Sequence, residues 1–175
     1  TITVASTTGI NVGDIVNFGD NYEYRVTEVT DGTNFKFVRK EEPAYYIDTD
    51  SSGLHAAVTD TTAVRRRWQY YDLVGKKPET TPYASAISGA VEDELHIVVV
   101  DEDGGISGTK GEVLEVYDAV SKASDAKTPQ GDSNYYPDVI LAKSNYIYWT
   151  AHNAGGTNWG TAVSTRSAAS KYTDV

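Results

Sequence analysis

Asp101, Asp103 and Glu112 fall at positions 1, 3 and 12 of a calcium-loop spacing, within the stretch "VVVDEDGGISGTKGE". Carboxylates so placed can surround a hard cation with oxygen. The rest of the pattern fails. Position 5 is Gly105 rather than a ligand, and position 6 is Ile106 where the sharp turn requires glycine. Strand-like apolar segments flank the loop, which rules out a helix–loop–helix site. A non-helical calcium site on Asp101, Asp103 and Glu112 is therefore the weaker alternative. The stronger reading is an acidic hairpin end, where Asp and Gly suit the turn and the charges stay in water.

Nucleophilic chemistry has less to stand on. His55, His96 and His152 are scattered, and "GDSNY" at 131–135 lacks the last glycine of a nucleophile elbow. The stretch "AGGTNWG" has neither the lysine nor the spacing of a phosphate loop, and reads as a loop carrying a stacking Trp159. Arg65, Arg66, Arg67 and Trp68, with Tyr70 and Tyr71, form the one basic and aromatic cluster. Such a cluster can hold a phosphate backbone with bases stacked on rings. In an acidic chain it fits better as an interface edge that meets a neighbour's carboxylates, since Arg, Trp and Tyr are enriched at interface cores.

Composition narrows the classes further. The formal charge of -10 argues against a general nucleic-acid binder and against adhesion to anionic membranes. With no cysteine, disulfides, zinc–thiolate sites, iron–sulfur clusters and thiol nucleophiles are all absent. No apolar run approaches the roughly 20 residues that cross a bilayer. Thirteen Tyr against three Phe suit half-buried strands and interfaces. Methionine is also absent, even at position 1, which suggests an excised internal fragment.

The elements that must carry these residues are mostly strands. Ile2 and Val4, then Tyr22, Tyr24 and Val26, then Phe35 and Phe37, alternate with polar residues at the period of two expected for a sheet with one wet face. Turn residues such as Gly19-Asp20-Asn21 and Asp31-Gly32 separate them. Residues 1–42 thus read as a small antiparallel barrel- or sandwich-like module. Residues 43–92 read as a loop-rich connection, with "TAVRRRWQYYDLVG" extended inside it. From Glu94, both faces of the strand are largely apolar, as in a central strand, with Leu95, Ile97 and Val99 on one and His96, Val98 and Val100 on the other. A return strand follows over Val113–Asp118. Next comes a short helix in "NYYPDVILAKS", with Asn134 as cap and Pro137 in its first turn, and then a strand over 145–150. The order β-β-α-β over 93–175 makes the whole chain α+β: an antiparallel β-rich insertion joined to part of a mixed sheet with a short packed helix.

The stretch "DELHIVVVDEDGGISGTKGEVLEVYDAVSKASDAKTPQGDSNYYPDVILAKSNYIYW" resembles the tail sheath protein of T-even-like phages with contractile tails. The features that carry the resemblance come in order. They are a Val-rich strand, "DEDG", a "G-T-x-G" return, "E-x-Y-x-x-V-S", "S-D-A-K", "G-x-S-N-Y-Y" and "S-x-Y-I-Y-W". The match runs from Glu94 to Trp149, about a third of the chain. Each feature alone is weak, but the ordered set is specific.

The resemblance implies an internal portion of a sheath subunit, with residues 1 to about 42 in an outward insertion that varies within the family. Neighbouring sheath subunits and the tail tube are then the implied partners, and the virion tail the implied location after synthesis in the host cytoplasm. The implied work is mechanical and requires no catalytic residue and no cofactor. The family's strand-adding terminal arms and inner-wall region are not visible in this chain, so the isolated fragment is expected to be monomeric. The alternative is a β-rich module binding carbohydrate or a host surface, with calcium at the acidic turn.

Overall fold

A computed structural model describes residues 1–19, 22–40, 64–152, 158–167 and 169–172. The fold is α+β and strand-rich, and the chain divides into two compact units, Thr1–Asp72 and Leu73–Val175.

The first unit is a five-stranded antiparallel sheet. Its strands are β1 (Ile2–Thr3), β2 (Ile15–Asn17), β3 (Tyr24–Val29), β4 (Asn34–Arg39) and β5 (Arg65–Arg67), in the order β1-β4-β3-β2-β5. The fifth strand comes from the arginine run, which lies beyond the first forty residues. Among the described residues no pairing joins β1 to β5, so the sheet keeps two edges where a barrel would close. Asp31 fixes the β3–β4 turn, its carboxylate accepting from the backbone N–H groups of Thr33 and Asn34 at 2.8 and 2.9 Å. A register shift between Val26 and Glu28 sets Glu28 opposite Lys36, and the two form an ion pair at 2.7 Å. The alternating apolar residues do face one way: Ile2, Val4, Val16, Phe18, Tyr24, Val26 and Phe35 form the core, with Tyr22 and Phe37 packed against it.

The second unit is built on one long hairpin, β6 (Glu94–Asp101) with β7 (Glu112–Ser121). Two register shifts let the ten residues of β7 pair with the eight of β6. Helix α1 (Tyr71–Val74) spans the unit boundary; α2 (Pro82–Ser88) and α3 (Tyr136–Lys143) belong to the hairpin unit. Leu95, Ile97 and Val99 pack with Tyr117, Val120, Tyr136, Val139 and Ile140 in one core. A second core joins Ala84, Val91, Ala123, Ala126, Val163 and Tyr172.

Three local expectations are corrected here. Among the described residues β6 pairs with β7 alone, so it is an outer strand and not a central one. Among the described residues the one parallel contact is an isolated bridge, Ser121 to Tyr135. Residues 145–150 form no strand. The Ser144 hydroxyl accepts from the N–H groups of Tyr146 and Ile147, and Glu115 accepts from that of Asn145. Those amides are therefore taken by side chains instead of a ladder. The α3 cap is Tyr135, with Pro137 in the first turn. Asn134 is engaged with the hairpin instead, its amide donating to the Ala119 carbonyl at 3.0 Å and its own carbonyl accepting from Ser121 at 2.8 Å.

Candidate functional site

The acidic turn closes on itself. Asp101 sits at the end of β6, only 3 % exposed, and its two oxygens accept from the backbone N–H groups of Gly104 (3.1 Å), Ile106 (2.9 Å) and Ser107 (2.6 Å). The Ser107 hydroxyl adds a fourth bond at 2.8 Å. Asp103 accepts from the Gly105 N–H at 3.0 Å, and Glu112 pairs across the ladder with Asp101. Gly104 has φ +81°, and a Cβ there would lie 2.9 Å from the Lys110 backbone nitrogen. This glycine serves the turn. Among the described residues no three His, Asp or Glu side chains converge as a metal site.

The loop N–H groups, that of Ser107 first, hold the Asp101 carboxyl down from 3.8 to about 2. A carboxyl lowered on folding contributes stability that is present above its unfolded value and lost as pH falls through the folded one. The hairpin end should therefore loosen as pH falls from 3.8 to about 2. Asp101→Asn should lack this acid dependence, as read from the pH dependence of Ile106 and Ser107 amide exchange.

The arginine cluster occupies β5 and the turn after it. Arg67 is forked between Glu23 at 2.6 Å and Asp72 at 3.0 Å, with its guanidinium 5.4 Å from the Tyr71 ring centre. Lys40 bridges the same two carboxylates, each at 3.1 Å. Its hydrogen bond first, and then Arg67, holds Asp72 below the usual carboxylate range. Arg66 meets Asp14 at 3.3 Å, and Trp68 meets Tyr70 edge to face at 5.2 Å. Two of the three arginines thus answer carboxylates of their own unit, while Arg65 is exposed on the same edge strand. Arg67→Ala should cost about 1–2 kcal/mol, because a half-sheltered network and a ring contact go together. Arg65→Ala should stay within about 0.5 kcal/mol. Chemical denaturation followed at β2 and β3 amides separates the two.

Of the histidines, His55 lies outside the described residues. His152 is held between two phenols, Tyr135 at 3.1 Å on Nε2 and Tyr136 at 2.9 Å on Nδ1. Trp149 donates its indole N–H to the Tyr136 oxygen at 2.8 Å, and Trp159 meets Tyr136 edge to face. Burial pushes both phenols up. Ser133 donates to Asp138 at 2.8 Å and meets no histidine among the described residues. Such an arrangement positions rings, and among the described residues it sets no serine hydroxyl against a histidine.

Sequence reasoning missed the buried Asp93. Its carboxylate accepts from the Thr81 N–H and hydroxyl, each at 2.8 Å, and from the Ser121 hydroxyl. Thr81 caps α2, with Pro82 in its first turn and Gly89 after its end. The "TP…G" spacing was the signal available. Between β7 and α3 lies an open cleft of about 930 Å³, lined by Glu115, Asp118, Asp132, Asp138 and Lys143 among others. Burial raises the Glu115 carboxyl, but the Asn145 N–H and the Ser144 and Tyr117 hydroxyls reverse that and hold it below its ordinary value. Comparison with family models, with curated proteins and with solved structures found no match to this chain.

Proposed function

We propose that this chain is a structural part of a phage contractile tail sheath subunit, and that it works by transmitting load and not by catalysis. The observation that carries the reading is the ordered run of sequence features from Glu94 to Trp149. Its hydrogen-bonding features have structural tasks in the second unit. Asp125 of "SDAK" accepts from the Val163 and Ser164 N–H groups at 2.7 and 3.1 Å. Asn134 ties the chain ahead of α3 to β7, and Tyr135, Tyr136 and Trp149 gather around His152. Polar ties of this kind suit a part that must move as a rigid body between two sets of subunit contacts. Neighbouring subunits and the tail tube are the partners in this reading, and the virion tail its location.

Negative-stain electron microscopy of the longer protein that contains this stretch, beside this chain alone, tests the reading. Tubes or stacked rings from the longer protein, with a monodisperse monomer from the chain, are expected. A lone globule or small closed oligomer from the longer protein would overturn it, and binding to glycan arrays with and without calcium would then test the alternative.

A further inference from the structure

His96 lies where β7 carries an extra residue. Leu95 pairs with Val120 and Ile97 with Tyr117, so His96 alone stands against Asp118 and Ala119. Ala119 occupies the left-handed region at φ 54°, a conformation that costs a side-chain-bearing residue free energy and must be held by its surroundings. The Ala119 N–H is 3.0 Å from His96 Nδ1, and the Asp118 carboxylate is 2.8 Å from the same nitrogen. One ring nitrogen cannot serve both. With a lone pair it accepts from Ala119; with a proton it donates to Asp118.

The rest of the surroundings sharpen that choice. The His96 side chain is 2 % exposed, and among the described residues its Nε2 has no hydrogen-bond partner. It faces Glu94 Oε1 across 3.7 Å, and Glu94 is itself held by Lys76 from the segment ahead of α2. A cation between them is disfavoured by the Lys76 ammonium, and the two carboxylates lie against opposite nitrogens of the ring. A proton is the species that fits. Asp118 is 51 % exposed, so its carboxylate meets solvent beside the buried ring.

We propose that His96 and the Ala119 bulge form a proton-operated latch in the hairpin. In the closed form His96 is neutral with its hydrogen on Nε2, Nδ1 accepts the Ala119 N–H and holds the left-handed residue, and the exposed Asp118 carboxylate turns away from that lone pair into solvent. A proton arriving from solvent bonds to Nδ1. The imidazolium then donates to Asp118 and turns its Nε2–H toward Glu94. Ala119 loses its acceptor, and the hairpin loosens at the bulge while the ladder on either side persists. This latch is independent of the sheath reading.

The test is to follow the ¹⁵N resonances of the His96 ring and the exchange of the Ala119 amide in the whole chain. The pH is varied until the ring's own ¹⁵N resonances report its change of protonation. The closed form should show the Nε2–H tautomer with Ala119 protected. As His96 takes up its proton, Ala119 protection should fall about tenfold beyond the intrinsic pH trend, with Val98 and Val116 unchanged. His96→Phe should leave Ala119 unprotected at every pH. The proposal is overturned by an Nδ1–H tautomer in the neutral form, by a ring that does not titrate, or by Ala119 protection that ignores the titration.

Discussion

Replacing Asp93 by alanine should destabilise the hairpin unit by about 3–5 kcal/mol, a large loss for one side chain. The residue is fully buried, and its carboxylate is the acceptor for three donors, the Thr81 N–H, the Thr81 hydroxyl and the Ser121 hydroxyl. Truncation leaves all three without that partner in a site closed to water. Each orphaned group carries its own desolvation cost of about 1–3 kcal/mol, though relaxation keeps the sum below simple addition. The damage also spreads along the chain of bonds. The Thr81 hydroxyl accepts from the Ala84 N–H to cap α2, and the Ser121 hydroxyl accepts from the Ala123 N–H. Asp93→Asn retains one oxygen acceptor and should lose about half as much. Native-state exchange at the β6 and β7 amides reads both variants. A loss under about 1 kcal/mol for the alanine variant would show that the network is dispensable.

The legibility of this chain in its sequence depended on whether local pattern and tertiary partner agreed. In β3 and β4 they did. Tyr24, Val26 and Phe35 follow a period of two, and that face is the core. The hairpin was likewise visible, because Leu95, Ile97 and Val99 share a face that α3 covers. Where a distant side chain took a backbone group, local pattern misled. Tyr146 and Tyr148 alternate as a strand would, but Ser144 and Glu115 capture the amides of that segment. Asn134 has the chemistry of a helix cap, but the hairpin uses both its side chain and its backbone. The α2 helix was overlooked for a different reason. Its seven residues, "PYASAIS", lack a broad apolar stripe, so only its terminal residues announced it. The arginine run was recognised as a cluster. That its carboxylates would be Asp14, Glu23 and Asp72 of the same unit could not be read from spacing alone.

Phe35→Ala should be as damaging to the first unit, at about 3–5 kcal/mol. Phe35 is completely buried and pairs with Ile2 on one side and Val29 on the other, so one ring fastens three strands. Its ring centre lies 6.2 Å from that of Phe18 and 6.0 Å from that of Phe37, and removing it forfeits these ring contacts along with buried area. The core around it holds Phe18 and Tyr24, with Tyr22 and Phe37 packed against them. Among the rings that could fill the cavity, Phe18 and Phe37 already pack against Tyr24 at 5.3 and 5.1 Å. A small core with little slack keeps most of the cavity term. Phe35→Leu retains bulk and should cost less than half as much. Exchange of the Tyr24–Val29 amides measures the difference, and a Phe35→Ala variant that kept those amides within about 1 kcal/mol of wild type would mean the sheet is held chiefly by its ladder and turns.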